Sequence, residues 1–369
     1  MTTALVHDWL TGMRGGEKAL EVLCELLPDA DLLTLLHVPG RVSPTIARHR
    51  IRSSLVQWLP LSDRLYRHYL PLFPFAVEQF DLDGVDFVIS SSHCAAKAVV
   101  ARPGARHLCY CFTPMRYAWD QFDHYFGPER WGAASRLARP VLAGLARWDR
   151  RTAGRVDRYV AISHYVAGRI RRYYNRQSDV VYPPVDTEFF QPDGRRPEGY
   201  LLIVSALVPY KRIDIAIDAA RLAGMPLRIV GEGPDRARLE ARTKGAPVSF
   251  LGYQTDQQIR ELYRGASATV LPGEEDFGIV PVEAQACGRP VVALGRGGAL
   301  ETVRDGVTGV LVSDPTAEAF AAAFGSLDRR WFHPEVIRRH AEQFSRGRFA
   351  REMNRLIDET RRAPEGTRW

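Results

Sequence analysis

The residues best suited to chemistry in this chain are two glutamates, Glu275 and Glu283, which are separated by seven residues. Pro281 fits the first turn of a helix, so the backbone N–H groups of Gly278 and Ile279 are expected at a helix N-terminus, where an anion binds. An ionised glutamate also accepts hydrogen bonds from the vicinal hydroxyls of a sugar. The pattern predicts a ligand with phosphate and sugar groups, and a solvated loop is the alternative.

Two adjacent cations, Lys211 and Arg212, directly follow an apolar run with the composition of a strand. Lysine is rare here, since only four of the 50 basic residues are Lys. At the end of a strand, two cations can neutralise the charge that develops on a leaving phosphate. The alternative is an exposed pair of cations in a solvated loop.

Glycine-rich turns follow several other apolar runs and let the backbone approach a ligand closely. They are Arg14–Lys18, Gly231–Gly233 and Gly295–Gly298. The second turn has the first two glycines of a dinucleotide fingerprint but lacks the third, which disfavours a nicotinamide oxidoreductase.

The elements that must position these residues alternate between short apolar runs and longer helical patterns. This rhythm predicts an α/β protein in which helices cover both faces of parallel sheets. It runs through residues 1–190, is interrupted by a turn-rich linker at 191–199, and restarts over 200–345. A helix and a frayed tail are expected over 346–369. Two doubly wound domains of this kind bind ligands at the carboxyl ends of their strands, so we expect a central cleft that both domains face.

Composition narrows the class of protein. The 369 residues are 46% hydrophobic and 25% charged, which is typical of a globular chain. Five cysteines without a Cys-x-x-Cys pair argue against zinc ribbons and disulfide scaffolds. The sequence turns polar by His7, too early for a signal peptide, and has no uncharged apolar run near 18 residues. We therefore expect a soluble cytoplasmic protein.

The net charge of +7 is carried almost entirely by arginine. This excess reflects either coding bias or a surface that binds acidic partners. The stretch Arg136–Arg176 concentrates eleven arginines among apolar residues. Such a mixture favours peripheral contact with an anionic membrane, at its inner face, and the alternative is an ordinary helix with one buried and one solvated side. No nucleic-acid motif accompanies the arginines, so nucleic acid is not an expected partner.

The chain resembles the retaining nucleotide-sugar glycosyltransferases of the GT-B fold, in particular the fourth glycosyltransferase family and its mannosyltransferase-like branch. The motifs that carry this resemblance follow the order of the family over nearly the whole length. They are Arg14-Gly-Gly-Glu-Lys18, Cys109 to Trp119, Val160-Ala-Ile-Ser163, Val181 to Asp186, Val208-Pro-Tyr-Lys-Arg212, Val230-Gly-Glu-Gly-Pro234, Glu275 to Glu283, and Gly297-Gly298 with Glu301.

The resemblance implies a role for each matching residue. Lys211 and Arg212 would meet the donor diphosphate, and Glu275 would face the donor sugar. The remaining donor-binding positions it implies are Glu283 at the ribose, Gly278, Ile279, Gly15 and Gly16 at the phosphates, and Gly231, Gly233 and Tyr253 at the base. It also implies that the final helix crosses back onto the first domain, and that neither a metal nor a cofactor is needed.

On the acceptor side the expected residues are Asp8, Phe112, Arg116 and Tyr117. Two positions depart from the family. Ala206 stands where an arginine is frequent five residues before the lysine, and Phe112 stands where many relatives have a histidine. A phenylalanine cannot hydrogen-bond a sugar, so either this branch manages without that histidine or another group such as Arg116 lies close by.

The function that this resemblance implies is transfer of a hexose, with an α-linkage, to a hydroxyl of a lipid-linked sugar or a polysaccharide. GDP-mannose is the first candidate donor, on the branch resemblance alone. The alternatives are a UDP- or dTDP-sugar transferase with a small-molecule acceptor, a hydrolase or epimerase on the same fold, and a nucleotide-sugar-binding subunit impaired in catalysis.

Overall fold

The computed structural model describes residues 2–119, 135–327, 332–364, 366–367 and 369, without the side chains of residues 117 and 135–138. Within this part the chain forms two compact units, Met1–Pro184 with Gly347–Trp369 and Val185–Arg346. The stretch 191–199, which we interpreted as a linker, lies in the second unit. It is held there because the Arg195 carbonyl accepts a hydrogen bond from Arg289 at 2.7 Å, and the Arg195 side chain pairs with Glu261 at 2.7 Å.

The first unit contains a parallel sheet of seven strands among the described residues, in the order β3-β2-β1-β4-β5-β6-β7. The strands are β1 (Thr3–His7), β2 (Asp31–Thr34), β3 (Ile51–Ser53), β4 (Phe87–Ser92), β5 (Arg106–Cys111), β6 (Arg158–Ala161) and β7 (Asp179–Val180). The helices are α1 (Gly15–Leu26), α2 (Pro44–Ala47), α3 (Ser62–Leu65), α4 (Phe73–Glu78), α5 (Arg116–Trp119), α6 (Ser135–Thr152) and α7 (His164–Tyr174), with short 3-10 turns at Leu55–Trp58, Tyr66–Leu72, Ala96–Ala98 and Ala153–Arg155.

The second unit repeats this plan with a six-stranded parallel sheet in the order β10-β9-β8-β11-β12-β13. Its strands are β8 (Tyr200–Val204), β9 (Leu227–Val230), β10 (Val248–Gly252), β11 (Ala266–Leu271), β12 (Val291–Leu294) and β13 (Gly309–Val312). Its helices are α8 (Ile213–Ala223), α9 (Arg236–Arg242), α10 (Asp256–Gly265), α11 (Ile279–Ala286), α12 (Ala299–Thr302), α13 (Ala317–Ser326) and α14 (Pro334–Glu342), with a 3-10 turn at Pro209–Lys211, and α15 (Arg346–Arg362) then leads back to the first unit.

The apolar runs become central strands because parallel sheets are covered on both faces and favour buried, branched side chains. In β4 and β5 every residue is buried. Each sheet also reverses its strand order beside its first strand, between β1 and β4 in the first unit and between β8 and β11 in the second. Loops diverge at such a switch point and leave a crevice at the carboxyl ends of the strands.

These observations confirm the prediction of an α/β chain with two Rossmann-like domains. Four short strands, β2, β3, β7 and β13, were not predicted from the sequence. The first helix begins at Gly15, so the glycines of the turn Arg14–Lys18 belong to the first turn of a helix.

The last helix, α15, packs on the first unit through Phe349, whose ring lies 5.3 Å from that of Tyr110. The tail that we expected to be frayed is held there in part: the ring of Trp369 lies 4.8 Å from the guanidinium of Arg158, and the Ala363 carbonyl accepts a hydrogen bond from Arg106 at 3.0 Å. None of the helices in the described ranges is long and apolar enough to span a bilayer.

Candidate functional site

The centre of the candidate site in the second unit is an ion pair between Lys211 and Glu275. Lys211 ends the turn that follows β8, and Glu275 lies in the loop that follows β11. These two strands flank the switch point of the sheet, which brings together side chains 64 residues apart in the chain. The Lys211 and Glu275 side chains remain 18% and 20% exposed, so a ligand can reach both.

Glycines lock the loops that carry this pair. A Cβ on Gly273 would lie 2.8 Å from the Cα of Lys211, so the loop after β11 crosses directly over the lysine backbone. On the other side, the Gly298 N–H donates to the Glu275 carbonyl at 2.8 Å, and a Cβ on Gly298 would collide with the backbone of Phe277. The position of Glu275 therefore depends on backbone contacts that no side chain at these glycines would permit.

The helix that was predicted near Pro281 begins at Ile279, with Gly278 as its N-cap. Gly278 has a φ of 93°, a conformation that favours glycine. Ile279 and Val280 in the first turn are only half-buried. The first N–H groups of a helix have no partner within the helix, so this end can receive an anion next to the Lys211–Glu275 pair.

Glu283 lies farther along the same helix and is only 6% exposed. One of its carboxylate oxygens accepts a hydrogen bond from the hydroxyl of Tyr263, at 3.0 Å. Burial, and then the charge of Glu283, hold the pKa of Tyr263 well above its usual value, so the phenol stays a donor. Sequence reasoning missed Tyr263, because its position in α10 identifies it only as a residue of the buried face.

Arg212 does not accompany Lys211. Its backbone takes a left-handed conformation with a φ of 51° at the start of α8, and its guanidinium lies 3.5 Å from the Asp214 carboxylate with the side chain 45% exposed. Ala206, where relatives frequently have arginine, is exposed. Lys211 is therefore the cation that the structure places beside Glu275.

The glycines expected at the nucleotide base serve chain packing. Gly231 has a φ of 121°, and a Cβ there would collide with the Ser205 carbonyl, while a Cβ on Gly233 would collide with that of Leu207. The turn after β9 is thus pressed onto the loop after β8, and close packing by itself explains both glycines. Tyr253, after β10, is 76% exposed.

In the first unit, Asp8 has no exposed surface, and its carboxylate accepts four backbone hydrogen bonds of 2.6 to 2.9 Å from residues 93 to 96. His93 Nδ1 also lies 3.1 Å from this carboxylate. We expected Asp8 to contact the acceptor. With every oxygen engaged, it instead anchors the loop after β4 to the end of β1.

His7, Gly16 and Phe112 converge at the same edge of this sheet. A Cβ on Gly16 would lie 3.6 Å from both the His7 ring and the Phe112 ring. His7 is 1% exposed, its Nδ1 lies 3.2 Å from Ser91 Oγ, and its Nε2 has no hydrogen-bond partner among the described residues. Burial lowers the pKa of His7 to about 4, so its imidazole is neutral near pH 7.

The first turn of α1 lies over this group and contains Gly15 and Gly16. Glu17 closes the turn by accepting a hydrogen bond from the Arg14 N–H at 3.1 Å, and burial raises its pKa to about 7. Arg116 is half-buried at the start of α5. Burial lowers the pKa of His93, and the charge of Arg116 lowers it further. The side chain of Tyr117 lies outside the described residues.

The arginines of Arg136–Arg176 divide into internal and exposed residues. Arg155 pairs with Glu78 at 2.8 Å, buried Arg158 pairs with Asp179 at 2.7 Å, and Arg176 donates to backbone carbonyls. These three arginines are engaged in contacts within the first unit. Six others are exposed, namely Arg139, Arg147, Arg150, Arg151, Arg171 and Arg172.

The two parallel-sheet domains match the GT-B fold, and the chain belongs to the group 1 glycosyltransferases. The family model described as "Glycosyl transferases group 1" matches residues 185–343, and that described as "Glycosyltransferase Family 4" matches residues 13–189. Enzymes of this group transfer sugars from nucleotide-sugar donors.

Two proteins that are similar in sequence to this chain have the same name. A D-inositol 3-phosphate glycosyltransferase of Geodermatophilus obscurus is 32% identical over 310 residues, covering 68% of this chain and 67% of that protein. A protein of the same name from Mycobacterium tuberculosis strain H37Ra is 35% identical over 195 residues, covering 45% of this chain and 40% of the relative.

Solved structures support the fold. HepE of Anabaena in complex with UDP-glucose superposes with a TM-score of 0.69 at 18% identity, over 97% of this chain and 100% of that one. The sucrose-phosphate synthase of Thermosynechococcus elongatus superposes with a TM-score of 0.70 at 16% identity, over 97% and 99% of the two chains. At such identities the likeness establishes the fold alone.

Proposed function

We propose that this glycosyltransferase is a retaining hexosyltransferase that needs no metal or cofactor. It moves a hexose from a nucleoside diphosphate donor to a hydroxyl of a lipid-linked sugar or polysaccharide, with an α-linkage. GDP-mannose remains the first candidate donor, on the resemblance of the motifs. The observation that carries the proposal is the Lys211–Glu275 pair beside the N-terminus of α11.

In this mechanism Lys211 stabilises the leaving diphosphate. As the bond between the sugar and the phosphate breaks, negative charge grows on the phosphate oxygen, and a fixed ammonium group with free helix N–H groups lowers the energy of that state. In the unliganded site Glu275 holds Lys211 in place. When the donor binds, the phosphate becomes the partner of Lys211, and Glu275 is released to accept a hydrogen bond from a sugar hydroxyl.

Glu283 is proposed to bind the ribose hydroxyls of the donor. Its hydrogen bond from Tyr263 orients the carboxylate within the fold. A carboxylate that is already oriented and largely desolvated binds a diol without a further ordering cost.

A retaining reaction without a covalent intermediate is supported by the first unit. At the edge of its sheet, the Asp8 carboxylate is occupied by backbone N–H groups and Glu17 is engaged in its own helix start. Neither is available as a nucleophile for the sugar. We therefore propose that the acceptor attacks on the face from which the diphosphate departs.

The test is turnover with Lys211→Ala and Glu275→Ala. Each is expected to fall at least about a hundredfold while the protein stays folded, which corresponds to about 3 kcal/mol of transition-state stabilisation. Lys244→Ala removes an exposed lysine of the same unit and serves as the matched control. Near-normal turnover in both site variants would refute the mechanism.

The names of the relatives favour a second candidate, transfer to a small acceptor that carries a phosphate, as the 32% identical D-inositol 3-phosphate glycosyltransferase does by its name. A thermal-shift panel of GDP-, UDP- and dTDP-sugars identifies the donor class, because a ligand that binds the folded state raises Tm. Transfer assays with inositol phosphate and with lipid-linked sugars then separate the two candidates. A selective shift without transfer to any acceptor would instead indicate the impaired binding subunit, and isomerised donor would indicate an epimerase.

A further inference from the structure

Large apolar side chains are exposed together in one segment of the first unit, residues 55–75. Trp58 is 85% exposed, Leu61 61% and Phe75 60%. Leu55, Leu65 and Leu72 are exposed by 36 to 43% in the same segment. A soluble protein surface rarely carries so many exposed apolar side chains in so short a stretch unless something covers them.

This exposed face is held rigidly from behind. Val56, Tyr66, Leu70 and Phe73 of the segment are buried in the core of the first unit. There the ring of Trp9 lies 5.1 Å from that of Tyr66 and 6.2 Å from that of Phe73. Leu61 takes a left-handed conformation with a φ of 49°, and the Tyr69 hydroxyl donates to the Pro60 carbonyl at 2.7 Å. The outward side chains are therefore displayed by a fixed backbone.

Positive charge lies between and beside these apolar side chains. Arg64, Arg67 and His68 are exposed within the segment, whose only acidic residue is Asp63. Helix α6 contributes Leu142, Leu145 and Trp148 to the same hydrophobic core as the segment. Trp148 Nε1 also donates to Glu78, at the end of α4, at 3.0 Å.

The exposed charges of α6 are all positive in its described side chains. They are Arg139, Arg147, Arg150 and Arg151. The one acidic residue of this helix, Asp149, has no exposed surface and pairs with Lys97. The described side chains of α6 therefore expose four positive charges and no negative one.

We propose that residues 55–75, together with the exposed arginines of α6, form a docking surface for the interface of an anionic lipid bilayer. Apolar tips separated by arginine suit this interface, where tryptophan and leucine enter the acyl boundary and arginine meets the headgroup phosphates. This surface differs from the sequence-based expectation, because its apolar part precedes Arg136–Arg176 in the chain. Docking there places the enzyme at a lipid-linked acceptor, but binding to lipid does not rest on the transfer reaction.

The test is co-sedimentation of the full chain with vesicles of phosphatidylcholine containing about a third phosphatidylglycerol, without donor or acceptor. We expect binding that weakens in high salt and in vesicles of phosphatidylcholine alone. The combined variant Trp58→Ser, Leu61→Ser and Phe75→Ser should lose at least about tenfold in partitioning, because each change removes an apolar tip from the bilayer.

The matched control is Leu222→Ser with Leu300→Ser in the second unit, where the two leucines are 60% and 59% exposed. It should bind vesicles as the unchanged protein does, and unchanged Tm values show that all variants are folded. The proposal is overturned if the unchanged protein does not bind anionic vesicles, or if the Trp58 variant binds them equally. It is also overturned if sedimentation shows that the unchanged protein is a dimer, that the combined variant is a monomer, and that neither binds vesicles. A second copy of the chain would then cover the surface.

Discussion

Removing the charge of Asp149 should destabilise the first unit strongly. Lys97 Nζ lies 2.9 Å from the Asp149 carboxylate, and the two side chains are 1% and 0% exposed. The same carboxylate accepts hydrogen bonds from Trp119 Nε1 at 2.8 Å and from the Tyr174 hydroxyl at 2.9 Å. In Asp149→Asn the shape is preserved, but the buried ammonium loses its counter-ion.

The expected cost follows from this burial. Breaking a buried ion pair on one side costs about 3–5 kcal/mol, because the remaining charge stays out of water without compensation. For a unit of this size, about 1 kcal/mol shifts Tm by roughly 2–4 °C, so Tm of the first unit should fall by about 6–20 °C. The control Asp81→Asn breaks the exposed pair between Arg52 and Asp81 and should cost less than about 1 kcal/mol.

Urea unfolding measures the loss of stability, and hydrogen exchange of the β4 and β5 amides assigns it to the first unit. A second change, Lys97→Met in the Asp149→Asn background, removes the orphaned charge and should restore most of the stability. Two results would contradict this reasoning about the buried Lys97–Asp149 pair. One is a loss of stability in Asp149→Asn no larger than in the Asp81→Asn control, and the other is no recovery of stability on adding Lys97→Met.

Three further predictions concern the sites themselves. Tyr263→Phe removes a hydrogen bond to the Glu283 carboxylate, which is worth about 1.5–3 kcal/mol, so steady-state kinetics should show KM for the donor rising about tenfold or more with kcat little changed. Gly298→Ala forces the Glu275 loop to move and should abolish most turnover in the same assay while the first unit keeps its stability. Burial lowers the pKa of His7 and of His107 to about 4, so on acidification the unfolded state binds protons at these histidines before the folded state does. The stability that the two neutral histidines contribute is complete above pH 6.5 and is lost as the pH falls towards 4. Urea unfolding at several pH values should show this loss.

Controls accompany each of these. Tyr200→Phe removes a phenol that donates to a backbone carbonyl and should leave KM unchanged. Gly325→Ala has open space around its Cβ and should be tolerated, so equal turnover in the two glycine variants would contradict the packing argument. Glu17 has the opposite effect, because its pKa is raised to about 7 and its contribution to the free energy of unfolding therefore falls as the pH rises. Together the three groups should raise the free energy of unfolding by about 1.4 kcal/mol per pH unit between pH 4.5 and 6.5. A flat profile in that window would contradict the burial of both histidines.

Much of the site was predictable because local patterns specify where strands end. Lys211, Glu275 and Gly278 each follow an apolar run or open a helix, and in a parallel sheet such positions share one edge. The missed residues contact their partners across the fold. Tyr263 is 20 residues from Glu283, and the donors to Asp8 are more than 80 residues away, so neither contact leaves a local signal.

The sequence by itself determined the fold class and the two-domain plan, because the alternation of apolar runs and helical patterns is a local property that only parallel α/β layers satisfy. Tertiary structure decided which candidate side chains are engaged within the protein and which remain exposed. It paired Lys211 with Glu275 and turned Arg212 to Asp214, buried Asp8 among backbone N–H groups, and left Trp58 in the open. Those outcomes depend on which loops meet at a switch point and on which surface no other element covers. Both are set by the order of the strands in the sheet and not by the spacing of residues in the sequence.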